Sequence, residues 1–316
     1  MRKDDLLKIF ASSIREVLGK SDIDYDSLQE IRLRTQAPLL VRYGNLEYYV
    51  SREGGLTKER KNSYIISGAE MKETVEYIGN YSLYAYEDEL RQGFITVQGG
   101  HRVGIAGKVI MEKNEIKTMK YISFINVRLS HQIKGCADRL LPYVTEGDEV
   151  KNMLIISPPR CGKTTLLRDV IRQLSDGSST RQGVTVGVVD ERSEIAACYM
   201  GVPQNELGIR TDVLDCCPKA KGMLMLIRTM APQVVAVDEI GGREDMEAIE
   251  AVRNCGCKLL ATVHGSSLDD IRSKPILREL FKEQAFERYV VLKNTDLAGK
   301  ITEIFDTQGR LLYQAE

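Results

Sequence analysis

Residues 153–165 read Met153-Leu-Ile-Ile-Ser-Pro-Pro-Arg-Cys-Gly-Lys-Thr-Thr165, so an apolar run leads directly into a Gly-Lys-Thr-Thr segment. Apolar residues recur at helical spacing over residues 166–174, which predicts an amphipathic helix after the segment. A strand, a loop and a helix in this order are typical of a phosphate-binding loop, whose backbone N–H groups surround phosphate oxygens at a helix N-terminus. The sequence therefore predicts a nucleotide-binding domain.

The loop carries a cation and a hydroxyl at the positions that phosphate binding requires. We expect Lys163 to contact the β- and γ-phosphates and Thr164 to ligate Mg²⁺. Ser157 replaces the first consensus Gly, but a residue before proline is extended with negative φ, where Gly has no advantage. Prolines donate no backbone hydrogen bond, so the phosphate-binding N–H groups begin after them. The candidate nucleotide-binding residues are Ser157, Pro158, Pro159, Arg160, Cys161, Gly162, Lys163, Thr164 and Thr165.

Acidic residues follow two other apolar runs in the same half of the chain. The run over residues 234–237 ends in Asp238 and Glu239, a pattern suited to a magnesium ligand and to a carboxylate that polarises the attacking water. Asp190, Glu191 and Arg192 follow the run over residues 184–189, at a position from which they can orient water or metal; the alternative is a charged turn. Glu191 is a second candidate for activating water.

His264 follows a fourth apolar run, at a position where we expect contact with the γ-phosphate. A lone histidine after an apolar strand is more often a packed, hydrogen-bonded residue. The four runs are separated by helix-length segments, which predicts parallel strands covered on both faces. Right-handed crossovers then place their carboxyl ends at one edge of the sheet. Four strands that end in polar groups at the same edge favour a functional site.

The first half of the chain has a different pattern. Apolar residues at helical spacing predict one helix over the first twenty residues, and residues 71–84 predict another. Short alternating segments bounded by Gly or Pro predict a small mixed sheet between and after them. Polarity rises over residues 142–149, so we predict an α+β domain over residues 1–145 and an α/β nucleotide domain over residues 146–316.

The composition limits the class of protein. The 316 residues are 43% hydrophobic and 28% charged, which is ordinary for two globular domains. The 44 Lys and Arg residues are balanced by 45 Asp and Glu residues, so there is no bulk attraction to nucleic acid or to anionic lipid. Apolar runs are far shorter than the roughly 18 residues of a membrane span, and the start of the chain lacks the pattern of a signal peptide. We expect a cytosolic protein that does not insert into a membrane.

Several motifs resemble a known family. They are Glu30-Ile-Arg-Leu-Arg34, Gly93-Phe-Ile-Thr96, Gly99-Gly-His-Arg-Val-Gly-Ile105, Gly162-Lys-Thr-Thr-Leu-Leu-Arg-Asp169, Val189-Asp-Glu-Arg-Ser-Glu-Ile195, Arg210-Thr-Asp-Val-Leu-Asp215 and Val237-Asp-Glu-Ile-Gly241. They resemble the stage III sporulation AA family, within the ring-forming secretion ATPases of type II and type IV systems. The resemblance covers nearly the whole chain.

This resemblance implies a RecA-like P-loop NTPase domain with ATP and Mg²⁺ as ligands. It also implies a homo-hexamer on the mother-cell side of the forespore, recruited from the cytoplasm by membrane proteins of a sporulation channel complex. Related secretion ATPases bring arginines of the N-terminal domain to the nucleotide's phosphates. Arg32, Arg34 and Arg102 lie in motifs that resemble the family, and Arg128 lies like them in a strand-like segment outside the nucleotide domain. All four are therefore candidates to complete the site across a subunit interface, with Arg102 and Arg128 included among the catalytic candidates. The alternative is that these arginines pair only with acids of their own domain.

Three functions are consistent with these motifs. The first is an ATP-hydrolysing motor that couples domain movement in a ring to membrane-embedded partners. The second is an ATP-dependent scaffold with negligible hydrolysis, which the presence of Glu239 disfavours. The third is a nucleic-acid translocase, which needs a basic channel and is disfavoured by the net charge of -1. We therefore expect no nucleic acid partner.

Overall fold

A computed structural model describes residues 3–44, 46–79, 89, 93–112, 115–293 and 299–315. The chain divides into two compact units, residues 1–131 and residues 132–316. Each unit has its own hydrophobic core.

The N-terminal unit is built on an antiparallel sheet. Within the described residues its strand order is β4-β3-β2-β1-β7-β6-β5. The strands are β1 (Glu30–Arg34), β2 (Leu40–Tyr43), β3 (Leu46–Val50), β4 (Leu56–Thr57), β5 (Phe94–Val97), β6 (His101–Glu112) and β7 (Glu115–Arg128). The helices are α1 (Lys3–Leu7), α2 (Ser12–Lys20) and α3 (Gly68–Ile78), with a 3-10 turn at Arg60–Asn62.

One face of this sheet forms the core of the unit. Ile31 and Leu33 of β1 are buried, whereas the residues that alternate with them are partly exposed. Because side chains alternate between the faces of a strand, the buried set lies on one face. Leu6 of α1, Ile14 of α2 and Met71 of α3 belong to the same core, so these helices cover that face. Among the described residues, no helix of the core packs on the other face, which we call the open face.

The single helix predicted for the first twenty residues is wrong, because the structure has two helices there. Ala11 has an extended backbone with φ -50° and ψ 149°, and its N–H donates to the Thr74 hydroxyl of α3 at 3.0 Å. The Ser12 N–H and hydroxyl both donate to Glu73. These tertiary hydrogen bonds replace the helical bonds that would have joined α1 to α2.

The helix predicted over residues 71–84 begins earlier, at Gly68. Ser67 and Glu70 form a capping box, in which each side chain accepts a hydrogen bond from the other residue's backbone N–H. The helix ends at Ile78, and residues 80–84 of the prediction lie outside the described residues.

The C-terminal unit is an α/β sheet in which, among the described residues, the strand order is β12-β11-β13-β14-β10-β15-β16-β17. Its strands are β8 (Thr145–Glu146), β9 (Glu149–Val150), β10 (Met153–Ser157), β11 (Val186–Asp190), β12 (Thr211–Asp215), β13 (Val234–Val237), β14 (Lys258–His264), β15 (Arg288–Leu292), β16 (Ile301–Asp306) and β17 (Leu311–Gln314). Strands β10 to β15 pair in parallel, and β16 and β17 are antiparallel, while β8 and β9 form a separate hairpin.

Helices cover both faces of the parallel strands, which explains their continuous apolar sequences. They are α4 (Leu141–Val144), α5 (Lys163–Asp176), α6 (Lys219–Thr229), α7 (Arg243–Asn254), α8 (Leu268–Ser273) and α9 (Pro275–Lys282). Across the described ranges, no helix has both the length and the apolar character needed to cross a membrane.

The boundary between the units precedes the predicted one at residue 145. Ala137, Leu140 and Val144 are buried in the core of the C-terminal unit. The Ala137 N–H also donates to Asp169 of α5 at 2.9 Å. Residues 132–145 therefore belong to the C-terminal unit. The rise in polarity over residues 142–149, on which the predicted boundary rests, lies inside this unit.

Candidate nucleotide site

Four adjacent strands of the C-terminal unit end at one edge of the sheet. β11, β13, β14 and β10 lie side by side in parallel, and Ser157 is the register partner of His264. Asp190 ends β11 and Asp238 directly follows β13. The predicted alignment of the carboxyl ends is therefore confirmed, and it gathers the polar groups that follow these strands.

The loop predicted to bind phosphate connects β10 to α5. Gly162 has φ 88° and stands at the N-terminus of α5, a conformation that favours glycine. In the described part of the chain no side chain caps this helix terminus, so its first N–H groups remain available to an anion. Cys161 accepts a hydrogen bond from the Gly299 N–H at 2.8 Å, which fixes the loop from the side of β16.

Lys163 points into a group of carboxylates. Its ammonium nitrogen lies 2.6 Å from Glu239 Oε1 and 3.4 Å from Asp238 Oδ1, and its side chain is only 8% exposed. Burial by itself raises the pKa of Glu239. The hydrogen bond and charge of Lys163, together with the charges of His264 and Arg192, outweigh this effect and lower the pKa. Glu239 is therefore a carboxylate at neutral pH.

Besides Lys163, three donors hold Asp238 in one orientation. The Thr164 hydroxyl donates to Oδ2 at 2.9 Å, and the Glu239 N–H donates to Oδ1 at 3.0 Å. The buried Thr262 hydroxyl also donates to Oδ1, and Thr262 Oγ1 accepts from the Glu239 N–H at 2.9 Å. Glu239 has φ 51°, a strained conformation for this residue type, and these bonds to its backbone hold it there.

Thr262 was not among the candidate site residues. Its signal in the sequence is its position two residues before His264, which places both side chains on the same face of β14. Threonine is common in strands for reasons of packing alone, so the signal becomes specific only beside Asp238.

His264 and Glu191 have different relations to this group. His264 is 48% exposed, and its Nε2 lies 2.9 Å from Glu239 Oε1. Glu191 instead forms an ion pair with Lys219 at the start of α6. The structure thus brings Lys163, Thr164, Asp238, Glu239 and His264 together and directs Glu191 toward α6.

The donor set fits a metal-bound phosphate chain. The Thr164 hydroxyl and the Asp238 carboxylate are adjacent oxygen donors of the kind that Mg²⁺ prefers. Lys163 and the uncapped N-terminus of α5 supply positive charge beside them. The arrangement can therefore bind phosphate oxygens and place a carboxylate, Glu239, next to them.

The sequence matches a known protein family over almost its whole length. The family model described as "Sporulation stage III, protein AA" matches residues 1–312. The chain belongs to this family. It is 38% identical to Stage III sporulation protein AA of Bacillus subtilis (strain 168) over 311 residues, which are 98% of this chain and 97% of that protein.

Two solved structures have a fold similar to that of this chain. The Legionella pneumophila ATPase DotB has a TM-score of 0.54 at 15% identity, covering 84% of this chain and 72% of its own. The pilus retraction motor PilT, solved with bound ADP, has a TM-score of 0.58 at 13% identity, covering 91% of this chain and 77% of its own. At these identities the likeness shows the fold alone. It confirms the predicted class, a RecA-like ATPase fold.

The four candidate arginines, Arg32, Arg34, Arg102 and Arg128, lie on one face of the N-terminal sheet. Arg102 and Arg128 are register partners, and Glu30 is the next residue in the same row. Arg32 and Arg34 alternate with the buried residues of β1, so they share this open face. All four project away from the core of their unit.

Individual arginines have contacts within the unit. Arg32 pairs with Glu30 at 2.7 Å and with Glu47 at 3.7 Å. The Arg102 guanidinium lies 3.9 Å from the centroid of the Phe94 ring. For Arg32 the structure shows the pairing within its own domain that the sequence analysis kept as an alternative.

Proposed function

We propose that this member of the family binds MgATP at residues 157–165 and hydrolyses it to ADP and phosphate. The observation that carries the proposal is the contact of 2.6 Å between Lys163 and Glu239. It places the cation of the phosphate-binding loop and the only carboxylate that also contacts His264, among the described contacts, at one point of the sheet edge. Phosphate binding and water activation need these two groups side by side.

Each residue of the site has a distinct task in this proposal. Lys163 and the N–H groups at the start of α5 bind the phosphates. Thr164 and Asp238 would hold Mg²⁺, which neutralises charge on the phosphate oxygens when bound. Glu239 orients the attacking water and accepts its proton, for which the lowered pKa keeps it ionised. Glu191, paired with Lys219, is the second candidate for this task.

We further propose that the protein works as a ring-forming motor in sporulation. The supports are membership of the sporulation family and the fold shared with the pilus retraction motor PilT. In this proposal a homo-hexamer in the mother-cell cytoplasm acts on membrane proteins of a channel complex. Hydrolysis moves the N-terminal unit, and Arg102 and Arg128 from that unit complete the nucleotide site.

Steady-state ATPase activity measured against protein concentration tests this function. A ring with shared sites should gain specific activity as it assembles, and sedimentation at the same concentrations should show the larger species. The Lys163→Ala variant controls for a contaminating ATPase. Absence of turnover by the wild-type protein with MgATP at every concentration contradicts hydrolysis, and nucleotide binding without turnover favours the scaffold. Constant specific activity contradicts sites shared between subunits.

A further inference from the structure

The two carboxylate oxygens of Glu239 have different partners. Oε1 contacts Lys163 at 2.6 Å and His264 at 2.9 Å. Oε2 contacts Nη1 of Arg192 at 2.9 Å. Arg192 follows β11 and is 64% exposed, so it reaches Glu239 from the side of the site that faces solvent.

A network of buried polar groups fixes the loop that carries Arg192. The Asp190 carboxylate is 1% exposed and accepts three backbone N–H groups, from Glu194, Ile195 and Ala196, at 2.8 to 2.9 Å. Arg168 donates to the carbonyl groups of Glu194 and Ile195 at 2.8 and 2.9 Å. The loop is therefore closed on itself by Asp190 and tied to α5 by Arg168.

This network gives Asp190 a role that differs from the one the sequence suggested, which was to orient water or metal. Both of its carboxylate oxygens are engaged by the loop backbone. Because Arg168 lies on the helix that begins at Lys163, the same helix sets the positions of the phosphate-binding loop and of Arg192. The position of Arg192 relative to Lys163 is thus built into the fold.

We infer that Arg192 is a positioning residue that holds Glu239 while Lys163 moves to the phosphates. This inference rests on the proposed function. Lys163 cannot keep its contact with Glu239 while it binds the phosphates. Its ammonium group leaves the carboxylate because the phosphate chain carries more negative charge. Arg192 keeps its contact with Oε2 and compensates the negative charge of Glu239. Oε1, no longer in contact with Lys163, can then accept a hydrogen bond from water.

The kinetic test is a double-mutant cycle between Arg192 and Glu239. Arg192→Gln should lower kcat about 10- to 100-fold, the cost expected of a misplaced catalytic carboxylate. Arg192→Lys, which keeps the charge, should restore part of the loss. In the Glu239→Gln background, Arg192→Gln should cause no further loss, because the group it positions is already neutral. Arg228→Gln, a change at an exposed arginine of α6, is the matched control and should leave kcat unchanged.

A binding test gives an answer that does not depend on turnover. With Glu239 present, Arg192→Gln should weaken MgADP binding about two- to fivefold, because withdrawing Lys163 from an uncompensated carboxylate costs more. In the Glu239→Gln background the same change should leave MgADP affinity unaltered. Isothermal titration on all four proteins measures the coupling, after circular dichroism and thermal melting confirm that each is folded.

The outcomes separate the inference from the proposed function. The inference is supported if MgADP affinities of the four proteins show the expected coupling between Arg192 and Glu239. If the wild-type protein then does not turn over ATP, the proposed function alone is contradicted. An effect of Arg192→Gln that is equal in both backgrounds overturns the inference, whether or not ATP is hydrolysed. Should Arg192→Gln fail to fold, Arg192→Lys takes its place in the cycle, with a smaller but still Glu239-dependent effect.

Discussion

Lys163 and Glu239 are 2.6 Å apart, so the lysine that begins α5 and the carboxylate that follows β13 are partners in one partly buried ion pair. In the proposed function, a nucleotide and Glu239 therefore compete for the same ammonium group. The competition couples occupancy of the loop to the environment of Glu239, since the carboxylate loses its closest cation when Lys163 engages phosphate.

Lys163→Ala should abolish nucleotide binding. The change removes the only charged side chain among residues 161–165, and we expect affinity for MgATP to fall about 100-fold or more, the effect of losing a charged contact to phosphate in a partly buried site. Fluorescence titration with a labelled nucleotide measures it, with circular dichroism to verify folding. Affinity within about threefold of wild type would show that the phosphates bind elsewhere.

Glu239→Gln should separate binding from hydrolysis. The amide keeps the shape of the side chain but cannot accept a proton from water, so kcat should fall by about two or more orders of magnitude while nucleotide affinity is retained. Glu191→Gln is the matched comparison, because Glu191 lies in the same unit and pairs with Lys219. If Glu239→Gln hydrolyses ATP at the wild-type rate, Glu191 becomes the better candidate.

Sequence reasoning predicted the parts of the site that depend on strand order. Continuous apolar runs fix parallel strands, and parallel strands fix where Lys163, Asp238 and His264 meet. It could not predict the inward orientation of Asp190, because an aspartate after a strand suits a metal site and a backbone clamp equally well. The hydrogen bonds from the loop backbone to Asp190 depend on the conformation of residues 191–196, and no periodic pattern in the sequence predicts that conformation.

The break between α1 and α2 was missed for a related reason. Apolar residues on both sides of Ala11 keep the spacing of one continuous helix, and Leu6, Phe10, Ile14 and Leu18 are all fully buried. The interruption comes from a hydrogen bond to Thr74, which is 63 residues away in the sequence. A local pattern does not contain such a tertiary partner.

The N-terminal unit should lose stability in mild acid because of His101. Its ring is 1% exposed and accepts the Ser130 N–H at Nδ1, and burial lowers the pKa of His101 to about 4. The unfolded chain binds a proton near pH 6.5 and the folded chain near pH 4, so stability falls as the pH drops through this window. Between pH 7 and pH 5 the loss from this group is about 2 kcal/mol.

Urea unfolding of the full chain at pH 7 and pH 5 measures this effect. His101→Gln, which keeps a side-chain acceptor but does not titrate, should show a smaller decrease in the unfolding midpoint than wild type. His264→Gln, at the half-exposed histidine of the other unit, controls for the removal of a histidine as such. An equal decrease in wild type and His101→Gln would contradict the assignment.

The purified chain should not pellet with liposomes. Basic and acidic residues are balanced at 44 and 45, so the protein as a whole has no electrostatic attraction to an anionic bilayer. Co-sedimentation with vesicles of phosphatidylcholine alone and of phosphatidylcholine with phosphatidylglycerol measures the association, and a tube without vesicles controls for aggregation. Strong, salt-sensitive pelleting with the anionic vesicles would show a direct lipid-binding surface and would weaken the proposal that partner proteins recruit the chain.

The final prediction is that arginines of the N-terminal unit complete the nucleotide site of a neighbouring copy. Arg32, Arg34, Arg102 and Arg128 share the open face of their sheet, but Arg32 is already paired with Glu30 and Glu47. We therefore expect Arg102→Ala or Arg128→Ala to lower kcat most, by about 10³-fold if the guanidinium stabilises transition-state charge. Arg60→Ala, at an exposed arginine of the same unit, is the control.

Mixing experiments distinguish an arginine supplied by a neighbour from one supplied within the same chain. A folded but inactive arginine variant retains its phosphate-binding loop, and Lys163→Ala retains its arginines. If the arginine comes from a neighbouring chain, a mixed ring therefore contains some sites with both groups intact. Hydrolysis should therefore return when the two inactive proteins are combined. If the arginine acts within its own chain, every site in the mixture lacks one group and the mixture stays inactive. Unchanged rates in folded variants at all four positions would instead show that the arginines serve only the N-terminal sheet.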